Sequence, residues 1–259
     1  MTDRTDASDE LLISRSHDGT VVEVTFNRPA RHNAFTAAMY GALHELCDAL
    51  ATDASVKVLV LRGAGGRAFA AGNEISDFLA RDAVDYEEWL AALFTKIQRL
   101  PQVSIAVVDG VCVGGGLAVA THCDLRIATP GSRFGYPIGK TLGNALSAGV
   151  LYRCNTIFGE ALTREMLLAA RLISAERAHH VGALAYVGDA IDDELETIIA
   201  GISAMSRVTI GHTKAQLAHL VDTLEVGPEE EARLREIYTG DDFNEGVRAF
   251  LAKEKPNFA

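Results

Sequence analysis

The sequence predicts a mixed α/β fold whose last part turns helical. Three observations carry this. Short apolar, β-branched runs recur at Val21–Phe26, Val58–Leu61 and Val103–Val108, each followed by a stretch of helical period. Glycine-rich segments come soon after the second and third of these runs. From Ala145 onward helical patterns dominate, with Ala183–Val187 as the one late strand candidate. The expected organisation is a disordered tail at 1–10, a core at 11–200 and a helical region at 201–259, with no linker of disordered composition between them.

Taken in order, Leu11–Ser16 and Val21–Phe26 alternate as strands around Asp18-Gly19, a hairpin turn signal. Asn27-Arg28-Pro29 stops the second strand, and Arg31-His32-Asn33 is a polar loop. Thr36 is placed to cap a helix to about Leu50, with Met39, Leu43, Leu46, Cys47 and Leu50 on one face. Val58–Leu61 is solidly apolar, as expected of a strand covered on both faces. The loop Arg62–Gly72 follows, and Asn73–Phe78 is expected to open a short helix. Asp85–Leu100 is amphipathic and is ended by Pro101. Val103–Val108, the apolar run after Gly110, Gly114–Gly116 and the Ala-rich stretch beyond read as strand, glycine turn and buried helix. The segment 133–144 is irregular. Helices are then expected at about 145–158, 163–170, 175–180, 192–205, 210–221, 228–238 and 242–252.

Composition excludes several classes. The 259 residues are 48% hydrophobic and carry a net charge of −11, which disfavours nucleic acid as a partner. No apolar run approaches the roughly 20 residues of a membrane span. The acidic N-terminus is not a signal peptide, so a cytoplasmic protein is expected. Cys47, Cys112, Cys123 and Cys154 form no CxxC pair, and Cys112 and Cys123, in apolar surroundings, read as core residues, so neither a zinc site nor a disulfide framework is expected.

Two glycine-rich junctions carry the chemistry. One ends at Gly72-Asn73 and the other holds Gly114–Gly116, each after a strand. Glycine leaves the backbone uncovered, and the first N–H groups of a helix lack internal partners. If the strands are neighbours, one N–H from each junction can converge on a single oxygen as an oxyanion hole, suited to an enolate or tetrahedral adduct. The opposing reading is that both are packing turns.

In this order and spacing the segments NRP with Asn33-Ala34, AFAAGNEI (68–75), VDGVCVGGGLAVATHCDLRIA (108–128), FGYP (134–137), AARLISAERAHHVGAL (169–184) and NEGVRAFLAKEKPNF (244–258) resemble the enoyl-CoA hydratase/isomerase, or crotonase, superfamily. The resemblance implies a crotonase-like spiral of ββα units with a C-terminal helical trimerisation region, giving a homotrimer or a dimer of trimers. It also implies an acyl-CoA substrate that itself carries coenzyme A, with no permanently bound cofactor. By motif position the oxyanion-hole donors are the amides of Asn73 and Gly115. Ala70, Ala71 and Gly72 are expected along the adenine end of CoA, and Arg31, Lys253 and Lys255 at its phosphates.

The chain also departs from that family. The two positions where hydratases carry glutamates hold Ala118 and Ile138, and the position of an aspartate used by other members holds Leu146. Hydration needs a base for water and an acid for the α-carbon, and these side chains supply neither. Tyr136 and Lys140 are the remaining proton-donor candidates, with Asn144 able to orient a carbonyl or water and Thr141 and Ser147 nearby. His122 reads as a buried, hydrogen-bonded residue more than as a base. Glu74 and Asp77 suit a helix N-terminus. Glu87 and Glu88 lie on a helix whose orientation the sequence leaves open. The expected activity is a lyase, isomerase or hydrolase that keeps the oxyanion hole without the paired glutamates. The alternative is an acyl-CoA-binding homologue without turnover. A dinucleotide enzyme lacks its GxGxxG unit and a serine hydrolase its GxSxG.

Overall fold

The computed structural model describes residues 3–75, 83–222, 232, 235–236 and 238–258. A seven-stranded sheet has the order β1-β2-β3-β4-β6-β8-β11, formed by Asp3–Ser8, Leu11–Ser16, Val21–Phe26, Val58–Gly63, Val103–Val108, Leu125–Ala128 and Tyr186–Val187. A four-stranded sheet has the order β10-β9-β7-β5, formed by Ile173–Ser174, Arg133–Gly135, Val111–Val113 and Ala68–Ala70. From β3 to β11 the large sheet is parallel, and so are β5, β7 and β9 in the small one.

The helices are α1 (Ala37–Thr52), α2 (Ala83–Arg99), α3 (Gly115–His122), α4 (Ile138–Thr141), α5 (Ala148–Leu168), α6 (Ala175–His180), α7 (Ile191–Ser203), α8 (Arg207–Asp222) and α9 (Asp241–Ala252). Alternation along β4 explains its unbroken apolar sequence. Val58 and Val60 pack with Ile191, Leu195 and Ile199 of α7 on one face of the sheet. Leu59 and Leu61 pack on the other face, in the core that holds α1, α2 and α3. Thr36 caps α1 as expected, its hydroxyl accepting from the Met39 N–H at 3.2 Å. All four cysteines are buried and unpaired.

The structure corrects several expectations. The tail expected to be disordered forms β1, which pairs antiparallel with β2 from Asp3↔Arg15 to Ser8↔Leu11. An edge strand needs only backbone partners on one side, so a polar sequence suffices there. Asp18-Gly19 lies in a 3-10 turn rather than a two-residue hairpin loop. The loop 62–72 contains β5, and β7 intervenes between β6 and the glycine turn. The two helices expected at 145–158 and 163–170 are the single element α5, with Gly159 at φ +74° as the break between its halves. The expected short helix through Phe78 and the helix at 228–238 fall largely outside the described residues. No helix among the described residues is long and apolar enough to cross a membrane.

Candidate active site

A cavity of about 200 Å³ opens where β5 and β7 end side by side and α3 begins. One wall is backbone: Ala71, Gly72 and Asn73 from the first junction, Gly114 and Gly115 from the second. The loop bearing Asn73 is fixed from several directions. Phe35 N–H donates to Gly72 O at 2.9 Å and Glu74 N–H donates to Phe35 O at 2.7 Å, which brackets residue 73 in a parallel bridge. Tyr40 Oη donates to Asn73 Oδ1 at 2.7 Å. Arg28 pairs with Glu74 at 3.0 Å and with Glu10 at 2.9 Å. Asn33, fully buried, accepts from Arg28 N–H at 2.9 Å and donates to Ala64 O and Ala68 O at 2.9 and 2.7 Å. The NRP and Asn-Ala segments thus serve as a brace for the first junction.

The second junction is fixed by Gly114 N–H, which donates to Gly135 O at 3.1 Å. Gly72 has φ +97°, and a Cβ there would sit 3.9 Å from Gly115 N. A Cβ on Gly115 would collide with Asn73 Oδ1 and Tyr40 Oη. The two junctions therefore touch, and glycine is what permits it. The N–H groups of Asn73 and Gly115 donate to no protein atom among the described residues, whereas those of Ala71, Gly114 and Ala118 are all engaged. Two unused amides beside one cavity, one of them at a helix N-terminus, are groups able to donate to an oxygen bearing negative charge.

The opposite walls are side chains. Ala118, Ile138 and Leu146, the three positions read as vacated acid positions, all line the cavity. So do Leu90 and Phe94 of α2, Leu142, and Phe250 of α9. The structure orients α2, which the sequence left open. Glu87 faces the cavity, while Glu88 is exposed. Tyr238 Oη donates to Glu87 Oε1 at 2.5 Å, and Asn144 Nδ2 donates to Tyr238 Oη at 3.2 Å. Burial raises the Glu87 carboxyl, and the Tyr238 hydrogen bond partly offsets this. Among the described residues that line the cavity, Glu87 is the one carboxylate.

The other candidates divide. Asn144 lines the cavity and joins the Glu87–Tyr238 cluster, with its Oδ1 buried and unpartnered. Tyr136 lines the cavity through its ring, but its hydroxyl is buried beside Thr121 without a well-formed hydrogen bond. Burial also pushes that phenol well up, so the expectation of a proton donor fails on access. Thr141 and Ser147 line the cavity, whereas Lys140 is exposed and does not. His122 lies outside the cavity; its Nδ1 bonds Ala118 O at 2.7 Å and its ring stacks on Phe94. Of the residues expected near CoA, Ala71 and Gly72 line the cavity, while Ala70 is fully buried in β5. Arg31, Lys253 and Lys255 are exposed, the lysines just beyond the helix that carries Phe250. Sequence reasoning missed Tyr238, which lies 151 residues from Glu87.

A family model described as enoyl-CoA hydratase/isomerase matches residues 16–259. The 2,3-dehydroadipyl-CoA hydratase of Escherichia coli K12 is 32% identical over 255 residues, covering 96% of this chain and 98% of the relative. The crystal structure of an enoyl-CoA hydratase/carnithine racemase from Magnetospirillum magneticum is 32% identical, with a TM-score of 0.78, covering 99% of this chain and 97% of the other. Methylmalonyl CoA decarboxylase complexed with 2S-carboxypropyl CoA is 26% identical, with a TM-score of 0.87, covering 97% and 98% respectively.

Proposed function

The chain belongs to the enoyl-CoA hydratase/isomerase family, and from that premise we propose that it stabilises the enolate of an acyl-CoA thioester without being a standard hydratase. The observation that carries this reading is the pair of unused amides, Asn73 and Gly115, on one cavity. A thioester oxygen held there gains two hydrogen bonds that strengthen as negative charge develops. The acyl chain lies against Leu90, Phe94 and Ile138, and coenzyme A arrives with the substrate, with no separate cofactor. Ala71 and Gly72 lie along the CoA moiety, and Arg31, Lys253 and Lys255 meet its phosphates. Ala70 supports the loop from the core.

Ala118, Ile138 and Leu146 support the negative half of the proposal, since none can activate water. Crotonyl-CoA should bind without loss of its enoyl absorbance. Hydration at the rate of the E. coli relative, in parallel assays, would overturn that half. Calorimetry showing no binding of butyryl-CoA would overturn the whole. The same missing acids favour a second reading, a binding protein without turnover. Mass spectrometry after incubation with saturated and unsaturated acyl-CoA separates the two by the presence of product.

We also propose that the protein assembles as a homotrimer or a dimer of trimers. Leu151 and Leu168 of α5 and Leu172 beyond it are large, apolar and exposed, as a face covered by another copy would be. The mass in solution by light scattering tests this, and a monomer at micromolar concentration would refute it.

A further inference from the structure

The paired acids of a hydratase are replaced by apolar side chains, yet a carboxylate faces the same cavity from a different element. Glu87 of α2 lines the same cavity as the Asn73 and Gly115 backbone. Its Oε1 is held by Tyr238 Oη, and Tyr238 is held in turn by Asn144 Nδ2 at 3.2 Å. Two elements distant in sequence thus fix the orientation of one carboxylate. Such fixing is what a base needs to meet a carbon acid in a set geometry.

We propose that Glu87, positioned by Tyr238 and Asn144, is the base that takes the α-proton of the bound thioester and returns it to the γ-carbon. This rests on the oxyanion-hole reading above and names the reaction class of that site. In a 3-enoyl-CoA, Glu87 removes a proton from C2. The C–H electron pair forms the C1–C2 double bond of a dienolate, and the charge passes to the thioester oxygen between the two amides. The protonated Glu87 then gives its proton to C4. The electron pairs shift back to restore the thioester carbonyl, leaving the double bond between C2 and C3. One carboxylate is enough, no water is consumed, and no oxidant or metal enters.

The surroundings suit this role. A carboxyl raised by burial is a stronger base than one in water. The titratable groups around it are the phenols of Tyr238, Tyr40 and Tyr86. Burial pushes the first two well up, so they do not titrate with Glu87. Tyr238 and Asn144 are positioning residues, because they act on the carboxylate and not on the substrate.

The test is proton exchange at the α-carbon. Butyryl-CoA is incubated in D2O with the full-length protein, and deuterium at C2 is read by mass spectrometry. Conversion of trans-3-hexenoyl-CoA to the 2-enoyl product is followed in parallel. The parent protein should exchange and isomerise. Glu87→Gln should still bind butyryl-CoA by calorimetry and lose both activities by ~10²-fold or more. Tyr238→Phe should shift the acid limb of the exchange profile to higher pH, because the hydrogen bond it removes favours the charged carboxylate. Glu87→Gln exchanging at the parental rate would overturn the assignment and leave the oxyanion hole standing. Binding by the parent without exchange would also overturn it and favour the binding protein. Absence of both binding and exchange in the parent would sink the oxyanion-hole reading along with it.

Discussion

Gly115→Ala is the sharpest probe of the backbone wall. The added methyl would arrive on Asn73 Oδ1 and Tyr40 Oη, and neither is a free chain end. The two atoms are bonded to each other at 2.7 Å, and Tyr40 is fully buried, with its ring packed on Phe35 and Phe94. Relief therefore requires Asn73 to turn away and the Tyr40 bond to break, at a cost of about 1 kcal/mol of stability. The larger effect is on the site. Because Asn73 Oδ1 is held by buried Tyr40 and residue 73 is bracketed by its bridge to Phe35, the strain is expected to pass to the backbone and displace one of the two amides. Loss of one such donor lowers rates by ~10²- to 10³-fold. The assay is α-proton exchange on butyryl-CoA in D2O, with urea unfolding as a control. A variant that unfolds within about 2 kcal/mol of the parent and exchanges ~10²-fold more slowly matches the reasoning. Tyr40→Phe in the Gly115→Ala background removes one of the two clashing atoms, so part of the loss should return in a non-additive way. Exchange by Gly115→Ala within threefold of the parent would show that the amides do not act together.

Two further outcomes follow from the brace and the core. Asn33→Ala deletes three hydrogen bonds and strands the backbone partners Arg28 N–H, Ala64 O and Ala68 O; a loss of ~3 kcal/mol in urea unfolding is expected at about 1 kcal/mol per bond, and a loss under 1 kcal/mol would refute the brace. Burial pushes His122 down to about 3, whereas an unfolded histidine titrates near 6.5. Below about 6.5 the unfolded chain takes up a proton that the fold refuses, so stability should fall with pH by up to ~1.4 kcal/mol per unit, levelling off near 3. His122→Gln should flatten that slope between pH 7 and 5, and an unchanged slope would assign the acid sensitivity to other groups.

Much of this architecture is legible in the residues. The unbroken run of β4 foretells burial on both faces, and the glycines at 72 and 114–116 foretell two backbones in contact. Thr36 announces its cap because capping is local. What stays hidden depends on long-range packing. Nothing near Glu87 says that it faces the cavity while Glu88 faces solvent, since α2 is turned by its contacts with α1, α3 and α8. Tyr238 has no motif, and its hydrogen bond spans 151 residues of chain. Tyr136 misleads in the other direction: its motif puts it on the cavity wall, but its hydroxyl points into the core. Backbone pairing of β1 is equally silent, because an edge strand asks little of its side chains.

Because the two amides at 73 and 115 belong to the main chain, no replacement other than proline can delete either one outright. Short of that, only displacement of the loop removes them. On the proposed reading, the facing surface is free to vary one position at a time around this fixed anchor, trading acids for hydrocarbon and back, while the thioester stays moored. A lineage can pass through forms that merely hold their ligand on the way from one chemistry to another.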